Sequence, residues 1–343
     1  EQAALERMRP RQLIRTSQPS AACYRVDAML DGVGLQVDDG DDGVRLQHYP
    51  EWHHRKRQYR EAWCALQETT ASAEPDAQAA DRARAVLTRH RRRIEAMRRR
   101  FEALLLERSI QRRQRDGPEL DLDAAVDRHA TLAAGHTPDD RLYSTQRRTQ
   151  PDLAVYILLD QSLSSDSWIG GGAEAAGVRI LDVERETVLL LGEVLDGLLD
   201  RVGIACFSSH TRNRCRFVRI KGLDEPWPPA RARIMAIEPA GYTRIGPAIR
   251  HAAAKLARAP ARRRLLLLVS DGRPTDYDQY EGRYGIKDVA QAVREAHAAG
   301  ILSFALAVET GAETRLTEMF GRGHFRVLHH PRLLPEAVSE ILL

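Results

Sequence analysis

Leu153-Ala154-Val155-Tyr156-Ile157-Leu158-Leu159 runs directly into Asp160-Gln161-Ser162-Leu163-Ser164, and this segment constrains the fold more than any other. The apolar run predicts a buried strand, because strands covered on both faces of a parallel sheet read as continuous hydrophobic segments. The D-x-S-x-S pattern then places a carboxylate and two hydroxyls on one loop at the end of that strand. Oxygen ligands of this kind suit a hard cation and leave a coordination position open. The segment therefore predicts a metal-dependent binding site and not a catalytic nucleophile.

Apolar and amphipathic segments alternate from Asp152 to the end of the chain. This alternation predicts an α/β fold with a doubly wound, mainly parallel sheet and helices on both faces. We expect strands over residues 153–159, 203–209, 214–220, 264–270, 301–308 and 324–328, and helices over residues 181–200, 230–237, 246–258, 286–299 and 331–342. In such a sheet, ligands collect beyond the carboxyl ends of the strands.

Two later loops are expected to meet the Asp160 loop at that edge of the sheet. Segment 241–246, Gly-Tyr-Thr-Arg-Ile-Gly, precedes a predicted helix and offers the Thr243 hydroxyl. The strand-like run 265–269 leads into Ser-Asp-Gly and offers the Asp271 carboxylate. A D-x-S-x-S pattern alone would more simply cap a helix or a turn. The three loops together favour a shared metal ion.

The arrangement resembles the metal-ion-dependent adhesion site of von Willebrand factor A domains, in which D-x-S-x-S, a threonine loop and a D-G loop share one Mg2+. The matching residues are Asp160, Ser162, Ser164, Thr243 and Asp271. The resemblance implies that the hydroxyls are neutral ligands and that the two carboxylates hold the ion directly or through water. The expected ion is Mg2+, with Mn2+ or Ca2+ as alternatives. With few anionic ligands it stays electrophilic, so that a carboxylate of another protein can fill its vacant position.

The first half of the chain is less regular. Residues 1–48 carry no pattern that places them, residues 49–140 are predicted to form a helical arm region, and residues 141–151 read as a polar linker before the domain at 152–343. Within the arm region, Trp52 to Gln67 is expected to be helical. A long helix is expected from Ala77 to Arg115, where apolar residues recur at nearly seven-residue spacing, and a shorter one starts near Asp121 or Asp123.

The expected long helix carries two arginine runs, Arg91-Arg92-Arg93 and Arg98-Arg99-Arg100. Charge runs on a helix usually form a solvated face. The sharper alternative is a contact with an acidic partner or a phosphate backbone. Aromatic residues are scarce along this segment, which counts against stacking on single-stranded nucleic acid.

Composition and cysteine spacing bear on whether the protein spans a membrane and on its compartment. The chain has 343 residues, of which 43% are hydrophobic, with a formal net charge of +4. The sequence has no apolar run of 18 residues, so no membrane span is expected. Its cysteines, Cys23, Cys64, Cys206 and Cys215, lack C-x-x-C spacing, which favours a reducing cytoplasm. The start at Glu1-Gln2-Ala3 reads as if cut from a longer protein.

The motifs that would indicate an enzyme are weaker than those of the metal site. Ser162 and His251 could form a hydrolase pair, but Ser162 does not lie in G-x-S-x-G, and His251 falls on a predicted amphipathic helix. The sequence contains no phosphate-binding G-x-x-x-x-G-K-[ST] loop. Asp276 and Asp278 could extend an acidic rim, attract a second cation or make Asx turns, of which the turn is the safer interpretation.

Six segments together look like the NorD/CbbO family. They are Tyr49-Pro50-Glu51-Trp52, Leu120-Asp121-Leu122-Asp123, Asp160-Gln161-Ser162-Leu163-Ser164, Asp224-Glu225-Pro226-Trp227, Tyr242-Thr243-Arg244-Ile245-Gly246 and Glu281-Gly282-Arg283-Tyr284-Gly285. The likeness runs from about residue 49 to the end of the chain. It therefore covers the arm region as well as the domain at 152–343.

The resemblance implies a non-catalytic adaptor that works with a hexameric MoxR-type AAA+ ATPase and grips a client protein through an acidic residue. In CbbO-like members the client is Rubisco, which is reactivated, and this branch is slightly preferred. In NorD-like members the client is nitric oxide reductase, which is matured. Magnesium and cobalt chelatases also join a von Willebrand A domain to an ATPase, so a chelatase subunit is a further alternative.

Overall fold

The computed structural model describes residues 45–72, 77–105, 108–148, 152–166, 168–169, 178–307, 311–328 and 337. Their elements, in chain order, are β1 (Arg45–His53), β2 (Gln58–Thr70), α1 (Ala77–Leu105), β3 (Arg108–Gln114), β4 (Glu119–Leu120), α2 (Leu122–Ala133), β5 (Tyr143–Arg148), β6 (Leu153–Asp160), a short 3-10 helix (Leu163–Asp166), β7 (Trp168–Ile169), β8 (Val178–Arg179), α3 (Ile180–Leu195), β9 (Arg201–Ser209), β10 (Cys215–Lys221), α4 (Pro228–Met235), α5 (Ile245–Ala257), β11 (Arg263–Ser270), α6 (Gly282–Ala298), β12 (Ile301–Ala307), α7 (Glu313–Phe320) and β13 (Phe325–Val327).

The main sheet has eight strands in the order β1-β2-β10-β9-β6-β11-β12-β13. Strands β9, β6, β11, β12 and β13 run parallel, β10 is antiparallel to β9, and β1 is antiparallel to β2. Helices lie in the connections from β6 to β9, from β10 to β11, from β11 to β12 and from β12 to β13, as in a doubly wound sheet. The predicted α/β fold with a mainly parallel sheet is confirmed.

The central strand β6 shows why its sequence is apolar throughout. All eight of its residues are buried, because β9 and β11 flank it and both faces of the sheet are covered. Val155, Ile157 and Leu159 point into one core, which α1, α3 and α4 cover. The alternate residues of the strand point into the other core, under α5, α6 and α7. This double burial fixes the point at which β6 emerges, at Asp160.

The prediction of a helix over Trp52–Gln67 is wrong. These residues form the end of β1, a turn and most of β2, and β2 pairs in parallel with β10, with Leu66 opposite Cys215. Along β2, Cys64 and Leu66 are buried in the core, whereas Trp63, Ala65 and Gln67 are only half-buried. Pairing with a strand about 150 positions away overrides the helical tendency of the local sequence.

The predicted long helix is ten residues shorter than expected, since α1 ends at Leu105 and the chain continues as β3, which pairs with β5. Nor is α1 a free arm. Its apolar stripe, including Val86, Met97 and Phe101, packs into the core beside α3 and α4. The near-heptad spacing therefore marks the inner face of a helix lying on a sheet.

The remaining predictions for the helices and the linker have different outcomes. Asp121 caps α2, accepting a hydrogen bond from the backbone N–H of Ala124 at 3.4 Å, as its position before the helix predicts. The predicted polar linker includes β5. The unplaced residues 1–44 and most of the helix expected at 331–342 lie outside the described residues. Within the described parts of the chain, the helices are too short or too polar to cross a membrane.

Candidate metal centre

Backbone hydrogen bonds hold three loops together where β6, β9 and β11 end. Gln161 donates its N–H to the carbonyl of Phe207 at 3.0 Å, and Leu163 donates to the carbonyl of Gly241 at 3.0 Å. Thr243 and Thr275 exchange two backbone bonds, of 2.8 and 2.9 Å. The D-x-S-x-S loop, the threonine loop and the segment after Asp271 are therefore fixed to one another before any side chain is considered.

Gly241 explains how the threonine loop can lie so close to β9. Its φ is +67°, and a Cβ built on it would sit 2.5 Å from the carbonyl oxygen of Ser209. A glycine is needed at this position both for the left-handed backbone and for the close approach. The next residue, Tyr242, then pairs with Ser209 through two backbone hydrogen bonds of 2.7 and 2.8 Å.

The side chains of the five predicted ligands converge. One oxygen of Asp160 accepts from the backbone N–H of Ser162 at 2.9 Å and from the Thr243 hydroxyl at 3.5 Å. The hydroxyls of Ser162 and Ser164 lie 2.8 Å apart, and the Ser164 hydroxyl bonds to Asp271. The structure thus links residues from three distant stretches of sequence into one oxygen-lined cluster.

Both carboxylates of the cluster are fully buried, which decides its electrostatics. Burial raises the pKa of Asp160 to about 7, and the negative charge of Asp271 adds to the rise. Burial also raises the pKa of Asp271, although the N–H of Arg273 and the Ser164 hydroxyl act in the other direction. Desolvated carboxylates that repel each other are stabilised by a shared cation.

The donor set fits a hard divalent cation. It consists of carboxylate and hydroxyl oxygens, the ligands that Mg2+, Mn2+ and Ca2+ prefer, and it contains no nitrogen or sulfur ligand. Among the described residues, His, Cys, Asp and Glu side chains form no group of three or more placed to hold a metal. Any site built here therefore depends on Ser162, Ser164 and Thr243 as much as on the carboxylates.

Ser270 belongs to the same cluster and was not identified from the sequence. Its hydroxyl donates to the second oxygen of Asp160 at 2.7 Å and accepts from the N–H of Gly272 at 3.0 Å. It therefore orients the carboxylate that the other loops share. The available signal was its place as the last residue of a buried strand, directly before Asp271.

Arg244, next to Thr243, is fully buried and surrounded by carboxylates. Its guanidinium contacts Asp276 at 2.9 Å and also pairs with Glu51 and Asp278, while its charge lies 4.3 Å from the centre of the Tyr280 ring. Asp276 and Asp278 thus neutralise a buried arginine. They form neither the acidic rim nor the second cation site that the sequence left open, and they are more than turn residues.

The hydrolase pair considered from the sequence is not assembled. His251 lies against the β1–β2 hairpin, with Nδ1 2.8 Å from the Tyr49 hydroxyl and Nε2 3.2 Å from Glu68. The Ser162 hydroxyl lies instead against Ser164. Burial lowers the pKa of His251 to about 4. Through these contacts with Tyr49 and Glu68, His251 links the β1–β2 hairpin to α5.

Comparison with known proteins identifies relatives of this architecture. A family model of the von Willebrand factor type A domain matches residues 155–333. "Protein NorD" of Brucella suis biovar 1 (strain 1330) is 40% identical over 299 residues, which are 85% of this chain and 44% of that protein. "Protein NorD" of Stutzerimonas stutzeri is 35% identical over 317 residues, 89% of this chain and 49% of that protein. The chain spans about half the length of these curated relatives.

A solved structure with a related title is "von Willebrand factor type A from Catenulispora acidiphila". Its TM-score is 0.40 at 14% sequence identity, and the match covers 69% of this chain and 49% of that one.

Proposed function

This chain belongs to the von Willebrand factor type A domain family and is similar to the NorD proteins, and from that premise we propose that it docks onto a partner protein through one divalent cation, Mg2+. One observation carries the proposal. The loops after β6 and β11 and the loop between α4 and α5 bring Asp160, Ser162, Ser164, Thr243 and Asp271 into a single cluster, in which both carboxylates are buried.

Each residue has a role in this proposal. Asp160 and Asp271 hold the cation directly or through water, and the three hydroxyls serve as neutral ligands. When bound, the cation supplies an electrophilic position for an oxygen of the partner. Because the cluster itself provides few negative charges, a carboxylate of the partner is the ligand that completes it best. The proposed role is adhesion, so the chain acts as a non-catalytic subunit.

The relatives guide the choice of partner. Both are NorD proteins, which fits the NorD-like alternative better than the preference for CbbO-like activation of Rubisco. We therefore propose an adaptor that connects a MoxR-type AAA+ ATPase to nitric oxide reductase as its client. In this proposal, the client supplies the acidic side chain and the ATPase supplies the energy for its maturation.

The test is a pull-down of nitric oxide reductase and a MoxR-type ATPase by the full protein, with Mg2+ or with EDTA. We expect capture of the client with Mg2+ and its loss with EDTA or after Asp160→Asn. Asp166→Asn is the matched control, since Asp166 lies on the same loop but pairs with Arg179 at 3.2 Å. Equal capture by the Asp160→Asn protein, or capture that EDTA leaves unchanged, would overturn metal-bridged docking.

A further inference from the structure

Three aromatic rings form a cluster beside the threonine loop. The rings of Tyr242 and Tyr277 have centroids 5.0 Å apart and lie nearly perpendicular, and the His210 ring is 5.7 Å from Tyr277 and 6.2 Å from Tyr242. The two contacts of Tyr277 are edge-to-face, a geometry that aromatic pairs favour. We call these residues the aromatic cluster.

The aromatic cluster lies on the same rim as the candidate metal centre. Tyr242 directly precedes Thr243, and its backbone is bonded to Ser209, the neighbour of His210. Thr243 is in turn bonded to Thr275, two positions before Tyr277. Each ring therefore stands within a few residues of a loop that supplies a candidate ligand.

Tyr277 is unusual in its exposure. Its residue surface is 47% exposed, although it is large and its ring contacts two others. Among the large, exposed hydrophobic side chains of the described residues, it stands directly beside a metal-site loop, whereas Leu120, Leu122 and Val126 lie on the small sheet and α2. Rigid, partly exposed tyrosines at the edge of a binding site are typical anchor points of protein interfaces.

The charged residues near the aromatic cluster favour some partner side chains over others. Arg273 donates its backbone N–H to Asp271 at 2.9 Å, and the Arg315 side chain donates to the carbonyl of Gly272 at 3.3 Å. The exposed Arg214 accepts a backbone hydrogen bond of 2.9 Å from His210. A basic rim of this kind favours an acidic partner and disfavours a cationic side chain over the rings. An apolar or aromatic side chain of the partner is therefore the best fit to the rings of the aromatic cluster.

We infer that the partner segment is acidic and amphipathic, and that it places a carboxylate at the metal centre and a neighbouring apolar side chain on Tyr242 and Tyr277. This inference rests on the proposed metal-bridged docking and adds the chemistry of the residue next to the carboxylate. Because Tyr242 and Thr243 are adjacent, the two partner residues lie close together on one segment.

Three acetylated pentapeptides test the inference by calorimetric titration with Mg2+. The first has aspartate flanked by leucines, the second has serines in place of the leucines, and the third has asparagine in place of the aspartate. For the wild-type chain, we expect the leucine peptide to bind about tenfold more tightly than the serine peptide, because burial of an apolar side chain is worth about that factor.

Variants localise the effect. Tyr277→Ser is expected to abolish the leucine preference and Tyr277→Phe to keep it, since the ring is retained. Tyr143→Ser is the matched control, because Tyr143 is 38% exposed but lies on the small sheet. A leucine preference that survives in the Tyr277→Ser protein, or that is missing from the wild-type chain, would overturn the inference.

The two proposals fail in different ways. If the asparagine peptide binds as tightly as the leucine peptide with aspartate, or if EDTA changes nothing, metal-bridged docking itself is wrong. If binding needs both aspartate and Mg2+ but ignores the leucines, docking stands and only the role of the aromatic cluster is overturned.

Discussion

Glu51 and Arg244, 193 positions apart in the chain, form an ion pair in which each side chain is only 1% exposed. Glu51 lies on β1, outside residues 155–333, which match the von Willebrand factor type A model. Arg244 directly follows Thr243, a predicted metal ligand. The hairpin of β1 and β2 is thus connected through one charged contact to the threonine loop.

Loss of Glu51 should weaken the whole fold. We expect Glu51→Gln to lower the free energy of unfolding by about 2 kcal/mol, because the Glu51 carboxylate accepts buried hydrogen bonds from Arg244 and from the Tyr284 hydroxyl, and an amide nitrogen in place of one oxygen leaves a donor without an acceptor. Glu61→Gln, an exposed change on the same hairpin, should alter stability by less than about 0.5 kcal/mol. Urea unfolding measures both, and similar values for the two variants would contradict a structural role of the pair.

Ser270 should affect metal binding more than folding. Ser270→Ala removes the hydroxyl that donates to Asp160 at 2.7 Å, and loss of such an orienting contact typically weakens metal affinity about tenfold or more. Ser303→Ala is a matched control, since Ser303 is also buried, on neighbouring β12, and its hydroxyl has no hydrogen-bond partner within the described structure. Manganese titration compares the two, and equal affinities would show that Ser270 has no orienting role.

The pH dependence of stability should report the buried carboxylates. In the folded chain the pKa of Asp160 is raised to about 7, above its unfolded value of 3.8, so the folded state binds the proton more tightly. The free energy of unfolding of the metal-free protein should therefore rise as pH falls from about 7 towards 4, with a slope of up to about 1.4 kcal/mol per pH unit for this group.

Asp160→Asn isolates that contribution. His251, whose pKa is lowered to about 4, acts with the opposite sign, because its unfolded form gains a proton first as pH falls below 6.5. Both proteins contain His251, so its contribution cancels and the difference between their stability curves belongs to the interacting pair of Asp160 and Asp271. Saturating Mg2+ should remove the difference in shape. Parallel curves for the two metal-free proteins would contradict the raised pKa.

The sequence was informative where burial alone determines the structure. The strand β6 is covered on both faces, so its apolar run could be recognised, and the polar residues after it mark the sheet edge. The hairpin could not be recognised, because β2 becomes a strand through pairing with β10. A role for Arg244 could not be predicted, since its partners Glu51, Asp276 and Asp278 meet it only in the folded chain.

Stability of the Asp160→Asn protein should separate binding from folding. In the absence of metal we expect this variant to be at least as stable as the wild-type chain at pH 7, because it removes a buried charge that Asp271 repels. Thermal unfolding with EDTA measures the effect. A large loss of stability would show that Asp160 is required for the folded structure of the loops and not only for metal binding.

Titration with Mn2+, followed by electron paramagnetic resonance, tests most directly whether the three loops hold one divalent ion. We predict one Mn2+ bound per wild-type chain, its displacement by Mg2+, and loss of binding after Asp160→Asn or Thr243→Ala, with Asp166→Asn unaffected. Undiminished Mn2+ binding by the Asp160→Asn and Thr243→Ala proteins, or no binding by the wild-type chain, would contradict the account.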